Sequence, residues 1–248
     1  MNIPIVKVPS GTCVAVIGDI HEHRKQFLEI VKRVQPSEKM FLVSVGDVYD
    51  KGYGTDVAEA IIDDIKTMHA SGFGFIVRGN HELKHIRKGK NRRSNMSKQL
   101  AWMAKQPLTI SFEFSTGTRV SVLHGGVKPA HTWQDLGTDV EVAYVRNLDE
   151  SGQMIKLKLV EENGQKVFVP EKPNGVSWHK SYDGRFGYIA AGHEPQKDGV
   201  AKFYNYSCNL DSACYVTGIM SCQIFDAGGR REFFTVSGPA KNSSDDDD

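Results

Sequence analysis

The chain has 248 residues, a formal net charge of +1, 40% hydrophobic and 25% charged side chains. That length allows one large hydrophobic core or two small ones, and the near-neutral charge excludes a whole-chain electrostatic pull toward nucleic acid or membrane. No apolar stretch approaches membrane-spanning length, and the start MNIPIVKVPSG lacks the basic segment and long apolar run of a secretory leader.

Taken in chain order, short apolar runs rich in Val, Ile and Phe predict buried strands at 12–18, 40–46, 73–79, 119–125 and 186–192. Amphipathic patterns between the first three predict helices. Over 24–34, Phe27, Leu28, Val31 and Val34 share a face. Over 56–70, Val57, Ile61, Ile65 and Met68 do so, and Asp56 with Glu59 fits an N-terminal capping box. A third helix is expected near 97–104. The front half thus alternates β-α-β-α-β, which implies a largely parallel sheet with helices packed on it.

Farther on, 154–169 sets Ile155, Leu157 and Leu159 against Lys156 and Lys158 and turns at Asn163-Gly164, a strong hairpin signal. Further strands are expected around 215–225 and 231–236. After Gly238 the composition turns polar and acidic, so 239–248 is expected to be a disordered acidic tail. With no linker in view, 1–238 reads as one domain carrying an inserted hairpin. The four cysteines, Cys13, Cys208, Cys214 and Cys222, form no CxxC pair and read as reduced core residues of a cytoplasmic protein.

Each of the five predicted strands ends in residue types that ligate metals. These are Asp19 and His21 in GDIH, Asp47 in GDVYDKG, Asn80 and His81 in GNHE, His124 in HGG, and His193 in GHEP. Ligands of open α/β sheets bind beyond the carboxyl ends of strands, and five such ends can face one crevice. A lone GD or HGG is usually only a turn. All five together, in order and each closing an apolar run, read as a metal site. Asp47 can bridge two ions with its two oxygens. Asp50 lies one short turn on, too far to be an equivalent ligand and better placed to orient a neighbouring imidazole. His23, His69, His85, His131 and His179 lie outside this pattern and read as surface or core residues.

GDIH, GDVYDKG, GNHE, HGG and GHEP resemble the calcineurin-like metallophosphoesterases, in particular the phosphoprotein-phosphatase branch, over about residues 12–236. The resemblance implies an α/β fold, a four-layer α/β/β/α sandwich of two mixed sheets flanked by helices. It implies two divalent metal ions, manganese first, with iron, zinc or nickel open because such ligands accept any of them. By position, Asp19, His21 and Asp47 would hold one ion, and Asp47, Asn80, His124 and His193 the other. His81 would protonate the leaving oxygen or stabilise charge on it, with Asp50 tuning it, after in-line attack by a hydroxide held between the ions.

The stretch 209–228 resembles phage protein phosphatases and bacterial diadenosine tetraphosphatases, and GNHELKHIRKGK resembles the phosphatase module of bacterial polynucleotide kinase–phosphatases. Asp211 would then stand behind His193; a plain strand-turn role is the alternative. The implied protein is a metal-dependent phosphatase of a bacterial or phage-infected cell, acting on phosphoserine or phosphothreonine in proteins. A polynucleotide-end phosphatase or cyclic phosphodiesterase, a dinucleoside polyphosphate hydrolase and an inactive metal-binding scaffold are the alternatives.

Three departures from the family pattern bear on substrate. Lys51 and Lys180 stand where arginines are usual, and a lysine is a flexible point charge where arginine is a planar fork. They either bind phosphate in their own way, bind it more weakly, leave the task to Arg185, or are surface residues. Glu22 replaces a glycine and either narrows the site mouth or adds a carboxylate near the first ion. The segment 84–98 carries Lys84, Arg87, Lys88, Lys90, Arg92, Arg93 and Lys98 with no acidic residue, and either contacts a nucleic acid or is a solvated surface. Trp178 reads as a packing residue or a stacking platform.

Overall fold

The structure is a computed structural model and describes residues 3–91, 96–162, 165–172 and 174–241. The hairpin turn Asn163-Gly164, Arg92, Arg93 and residues 242–248 of the predicted tail lie outside the described residues. Among those described, no helix is long and apolar enough to cross a membrane.

The chain begins with β1 (Ile5–Val8) and β2 (Cys13–Ile17), then α1 (Arg24–Val34), β3 (Met40–Ser44), α2 (Thr55–Ala70) and β4 (Gly74–Ile76). Next come α3 (Asn80–Asn91), α4 (Lys98–Met103), β5 (Thr109–Phe114), β6 (Arg119–Leu123), α5 (Asp135–Thr138), β7 (Asn147–Leu148), β8 (Leu157–Glu162) and β9 (Gln165–Pro170). The rest comprises β10 (Val176–Ser177), α6 (Trp178–Ser181), β11 (Tyr188–Ala191), β12 (Lys202–Phe203), β13 (Ser207–Asn209), α7 (Cys214–Thr217), β14 (Ile219–Asp226) and β15 (Gly229–Ser237).

Two large mixed sheets result, ordered β15-β14-β2-β3-β4 and β1-β5-β6-β11-β13-β12. Strands β2, β3 and β4 pair in parallel, as the alternating front half predicts. Side chains alternate across a strand, and that alternation builds four layers. From β2, Cys13, Ala15 and Ile17 pack with Phe27 and Ile30 of α1 and Ile61 and Ile65 of α2. The intervening Val14 and Val16 pack with Phe112, Val120 and Val122 of the other sheet. That second sheet turns Leu123, Ile189 and Ala191 outward against Leu136, Val142 and Trp178. The order is therefore helices, sheet, sheet, helices.

Several local expectations fail for identifiable reasons. The capping box does not form: α2 starts at Thr55, its N-cap is Gly54, and no side chain caps it. The loop ahead of the helix is anchored elsewhere, at Gly54 N (2.8 Å to Glu22). Leu28 is exposed, and Gln26 takes its place on the buried face of α1, because its amide donates to Gly218 O (3.2 Å) and Pro239 O (3.0 Å). Tyr215 sits in α7, and the strand begins only at Ile219.

β8 and β9 pair as predicted, but Leu157 and Leu159 are 45% and 51% exposed, so their alternation marks a solvent face. β1, β5, β12 and β13 were not predicted, although in β5 the alternation of Ile110, Phe112 and Phe114 with Ser111 and Glu113 was an available strand signal. All four cysteines are buried and free.

Candidate metal centre

The five strand ends converge. β2 delivers Asp19 and His21, β3 delivers Asp47, β4 and the first turn of α3 deliver Asn80 and His81, β6 delivers His124, and β11 delivers His193. The turns are backbone-strained. His21 (φ 45°), Asp47 (φ 49°) and His193 (φ 71°) all occupy the left-handed region. Each such residue costs about 1–3 kcal/mol and persists only where its surroundings over-determine it. Here they do: Asp47 O accepts from both Ile20 N (3.2 Å) and His21 N (2.8 Å), and the Asp19 carboxylate accepts from His193 N (3.1 Å). A side chain at Gly192 would run into the Asp19 carboxylate, so glycine before His193 is a packing requirement.

Asp47 is the hub. Its Oδ2 lies 3.2 Å from His124 Nε2 and 3.8 Å from both His21 Nε2 and His81 Nε2. Two groups of side chains could each hold a metal ion, His21–Asp47–His81 and Asp47–His124–His193, and they share Asp47. Asp19 Oδ2 lies 3.8 Å from His21 Nε2, and Asn80 Oδ1 lies 3.0 Å from His124 Nε2, so both border these groups.

Backbone carbonyls settle which imidazole nitrogens face inward. His21 Nδ1 donates to Tyr49 O (3.2 Å) and Asp50 O (3.1 Å), His124 Nδ1 to Val45 O (2.9 Å), and His193 Nε2 to Tyr144 O (3.2 Å). That leaves His21 Nε2, His124 Nε2 and His193 Nδ1 for a ligand. His21 Nε2 is buried with no hydrogen-bond partner, as an atom reserved for a cation would be.

The protein alone balances these charges badly. Burial, then the neighbouring Asp211, pushes the Asp19 carboxyl well above its usual range. Burial, then Lys51, holds His21 down to about 3, and burial, then Arg146, keeps His193 well below the usual imidazole range. Burial would also lower His124, but the Asp47 and Asp19 carboxylates outweigh it and push it up to about 9. Crowded buried carboxylates beside the neutral imidazoles of His21 and His193 are a donor set that divalent cations satisfy. The residues present therefore fit two such ions.

His81 and Asp50 form a second tier. His81 Nδ1 donates to Asp50 Oδ2 (2.6 Å), while Lys84 Nζ (2.8 Å) and His85 Nε2 (2.8 Å) also donate to the Asp50 carboxylate. Burial opposes ionisation of Asp50, but these three donors hold it far below the usual carboxylate range. His81 N also donates to Asp47 Oδ1 (3.0 Å), tying the tier to the hub. His85 fell outside the sequence pattern, and its spacing of four residues from His81 on one helix face was the available signal.

The other candidates divide. Lys51 Nζ stands 4.6 Å from the Tyr215 ring, and its charge bears on His21 and Asp211. Lys180 is exposed, and its charge bears on Glu194, the neighbour of His193. Arg185 is turned away: its guanidinium donates to Lys128 O (3.1 Å) and Pro129 O (2.6 Å) and stands over the Phe186 ring. Asp211 is buried and accepts from Ala213 N (2.9 Å), the turn role, while its charge raises Asp19. Trp178 is 1% exposed and belongs to the core, so it offers no face for stacking.

Two further residues escaped sequence reading. Arg146 has a buried Nε without a hydrogen-bond partner, and its charge bears on His193, Glu194 and Tyr215. It lies in a segment without a motif. Glu82, the last residue of GNHE, accepts from Asp47 N (2.8 Å), Val48 N (2.8 Å), Tyr49 N (3.3 Å) and Gly79 N (2.8 Å). Glu22 points neither at the crevice nor across its mouth; its carboxylate takes Asp50 N, Gly52 N and Gly54 N.

Comparison with known proteins agrees with this geometry. No curated protein sequence matches the chain significantly. A proposed diadenosine tetraphosphatase superimposes with a TM-score of 0.67 at 21% identity, over 95% of this chain and 98% of that one. A protein serine/threonine phosphatase from Saccharomyces cerevisiae gives 0.59 at 14% identity, over 97% and 85%. A cold-active protein-tyrosine phosphatase of a psychrophilic Shewanella gives 0.52 at 15%, over 94% and 83%. The sequence profile of the calcineurin-like phosphoesterases matches residues 14–214, and the chain belongs to that family.

Proposed function

We propose that this metal-dependent phosphatase is a phosphomonoesterase acting on phosphoserine or phosphothreonine in proteins, with Asp19, His21 and Asp47 holding one divalent ion and Asp47, Asn80, His124 and His193 the other. Manganese is the first choice for both positions. The observation that carries the reading is the His81–Asp50 pair beside the shared carboxylate: Nδ1 is fixed at 2.6 Å from Asp50, and Nε2 is 3.8 Å from Asp47 Oδ2.

The bound ions supply the Lewis acidity that neutralises phosphoryl oxygens and lowers the pKa of an attacking water. The chain supplies the rest. Asp50 accepts the Nδ1 proton of His81 and orients the ring, so that in the imidazolium form the second proton, on Nε2, faces the crevice. From Nε2 a proton passes to the departing serine or threonine oxygen, a step that general-acid catalysis makes about 10²–10⁴-fold faster. Lys51 and Arg146 offer cationic donors to the phosphoryl oxygens from opposite flanks, Lys51 on the His21 side and Arg146 on the His193 side. Lys180 adds charge near Glu194.

A second reading, a phosphatase of nucleic-acid ends, is favoured by one observation. The charge of Arg87 on α3 bears on Tyr144, whose carbonyl holds His193. Arg87, one basic residue of α3, therefore stands toward the His193 side of the crevice.

A phosphate-release assay on a phosphoserine peptide and a 3′-phosphorylated oligonucleotide, at low and high salt, separates the two. Faster peptide turnover with little salt effect supports the first reading. Faster, salt-sensitive oligonucleotide turnover replaces it with the second.

A further inference from the structure

Two carboxylates share the loop that follows β3. Glu82 holds its first half, the amides of Asp47, Val48 and Tyr49. Glu22 holds the second half: Oε1 accepts from Asp50 N (2.9 Å), and Oε2 accepts from Gly52 N (3.1 Å) and Gly54 N (2.8 Å). Glu22 is 4% exposed, and both its oxygens are committed to backbone. The two loops touch so closely that a side chain at Gly52 would strike His21 O and Glu22 Cβ.

What the second half carries gives this its meaning. Asp50 (φ 68°) and Lys51 (φ 66°) both lie in the left-handed region, and the amides on either side of the Lys51 residue, those of Asp50 and Gly52, are bound to one carboxylate. Without those bonds the strained pair would relax toward ordinary backbone angles. The Asp50 carboxylate would then leave His81, and the Lys51 ammonium would leave its place over Tyr215. A lysine is long and flexible, so its position depends on the backbone beneath it more than that of a forked arginine does.

We propose that Glu22 is a positioning residue. By clamping the backbone of residues 50–54 it sets where the Lys51 ammonium and the Asp50 carboxylate stand against the metal-ligand cluster. The proposal concerns the same site as the phosphatase reading and, as regards Lys51, rests on it.

The test uses Glu22→Gln, which keeps the shape but leaves one acceptor oxygen, and Glu22→Gly, which removes the clamp where φ is already positive (63°). Amide hydrogen exchange is read first, on metal-free and manganese-loaded protein. The Asp50, Gly52 and Gly54 amides should exchange about tenfold or more faster in both variants, while the Asp47 and Val48 amides held by Glu82 keep their protection.

Kinetics with p-nitrophenyl phosphate follow. The KM and the tungstate inhibition constant should rise about tenfold through Lys51, kcat should fall through the Asp50–His81 pair, and in a Lys51→Ala background Glu22→Gln should add little to KM while still lowering kcat. Unchanged exchange at residues 50–54 overturns the clamp, KM effects that simply add to those of Lys51→Ala overturn its action through Lys51, and an unchanged kcat overturns its action through Asp50. A wild-type protein that releases no phosphate would defeat the phosphatase reading, and the exchange result would still decide whether Glu22 holds the loop.

Discussion

The floor and the rim of the crevice are built on opposite principles. On the floor, Asp19, His21, Asp47, His124 and His193 are buried, and backbone partners fix Asp19, His21, His124 and His193 in place. On the rim, Lys51, Lys180 and Arg87 are exposed, and few fixed contacts hold them. A buried polar group must be paired or it costs several kcal/mol, so the floor tolerates little variation. Exposed side chains carry no such penalty, so the rim is free to change with the substrate. The three structural relatives fit this difference, since proteins described by dinucleotide, phosphoserine/threonine and phosphotyrosine substrates share one fold.

The floor should break hardest. Asp47→Asn removes the charge that both ligand groups share, so it should empty at least one metal position and abolish turnover. A fully loaded, active Asp47→Asn protein would disprove the bridging role. His81→Asn should depress kcat by about 10²–10⁴ with KM little changed, the outcome that the proposed proton transfer requires.

At the border between floor and rim, Lys51→Ala or Arg146→Ala should raise the KM for a phosphomonoester by about tenfold and weaken phosphate inhibition, which steady-state kinetics would detect.

The floor also predicts a pH effect in the metal-free protein. His124 has its pKa raised to about 9 in the folded state, against an ordinary value of about 6.5 in the unfolded chain. A raised histidine stabilises the fold fully below the unfolded value and loses that contribution as pH rises through the folded value. Metal-free protein should therefore lose thermal stability between about pH 6.5 and 9, while metal-loaded protein, whose His124 has given up the Nε2 proton, should lose less. Equal pH profiles with and without metal would contradict this. On the solvent face of β8, Leu157→Ser should change stability by no more than about 0.5 kcal/mol, readable as an unmoved denaturation midpoint.

The same contrast explains what the sequence could say. Strands β2, β3, β4, β6 and β11 were legible because buried strands need runs of Val, Ile and Ala, and the candidate ligands stood out because each closes such a run. β13 escaped notice because SCN is short and two of its three residues are polar, buried beside polar partners. The roles of Glu22 and Glu82 escaped for another reason: a carboxylate that satisfies backbone amides from another loop leaves no periodic trace. The capping box failed because Asp56 and Glu59 matched a local rule while the chain's start at Gly54 was fixed by Glu22 from thirty-odd residues away. Arg146 and Lys51 could not be weighed against Arg185 from spacing alone, because which arginine finds a carbonyl and which stays unpaired is a tertiary outcome.

The central claim is that Asp47 joins two metal positions and that His81 works beside them without being a ligand. His81 lies within reach of the first group, so the distinction is a real one. Native mass spectrometry of manganese-reloaded wild type and His81→Asn, with turnover measured on the same samples, tests it most directly. The expected result is two ions per chain in both proteins and turnover lost only in the variant. One ion per chain in the wild type, or ions lost from His81→Asn in step with activity, would contradict it and make His81 a ligand.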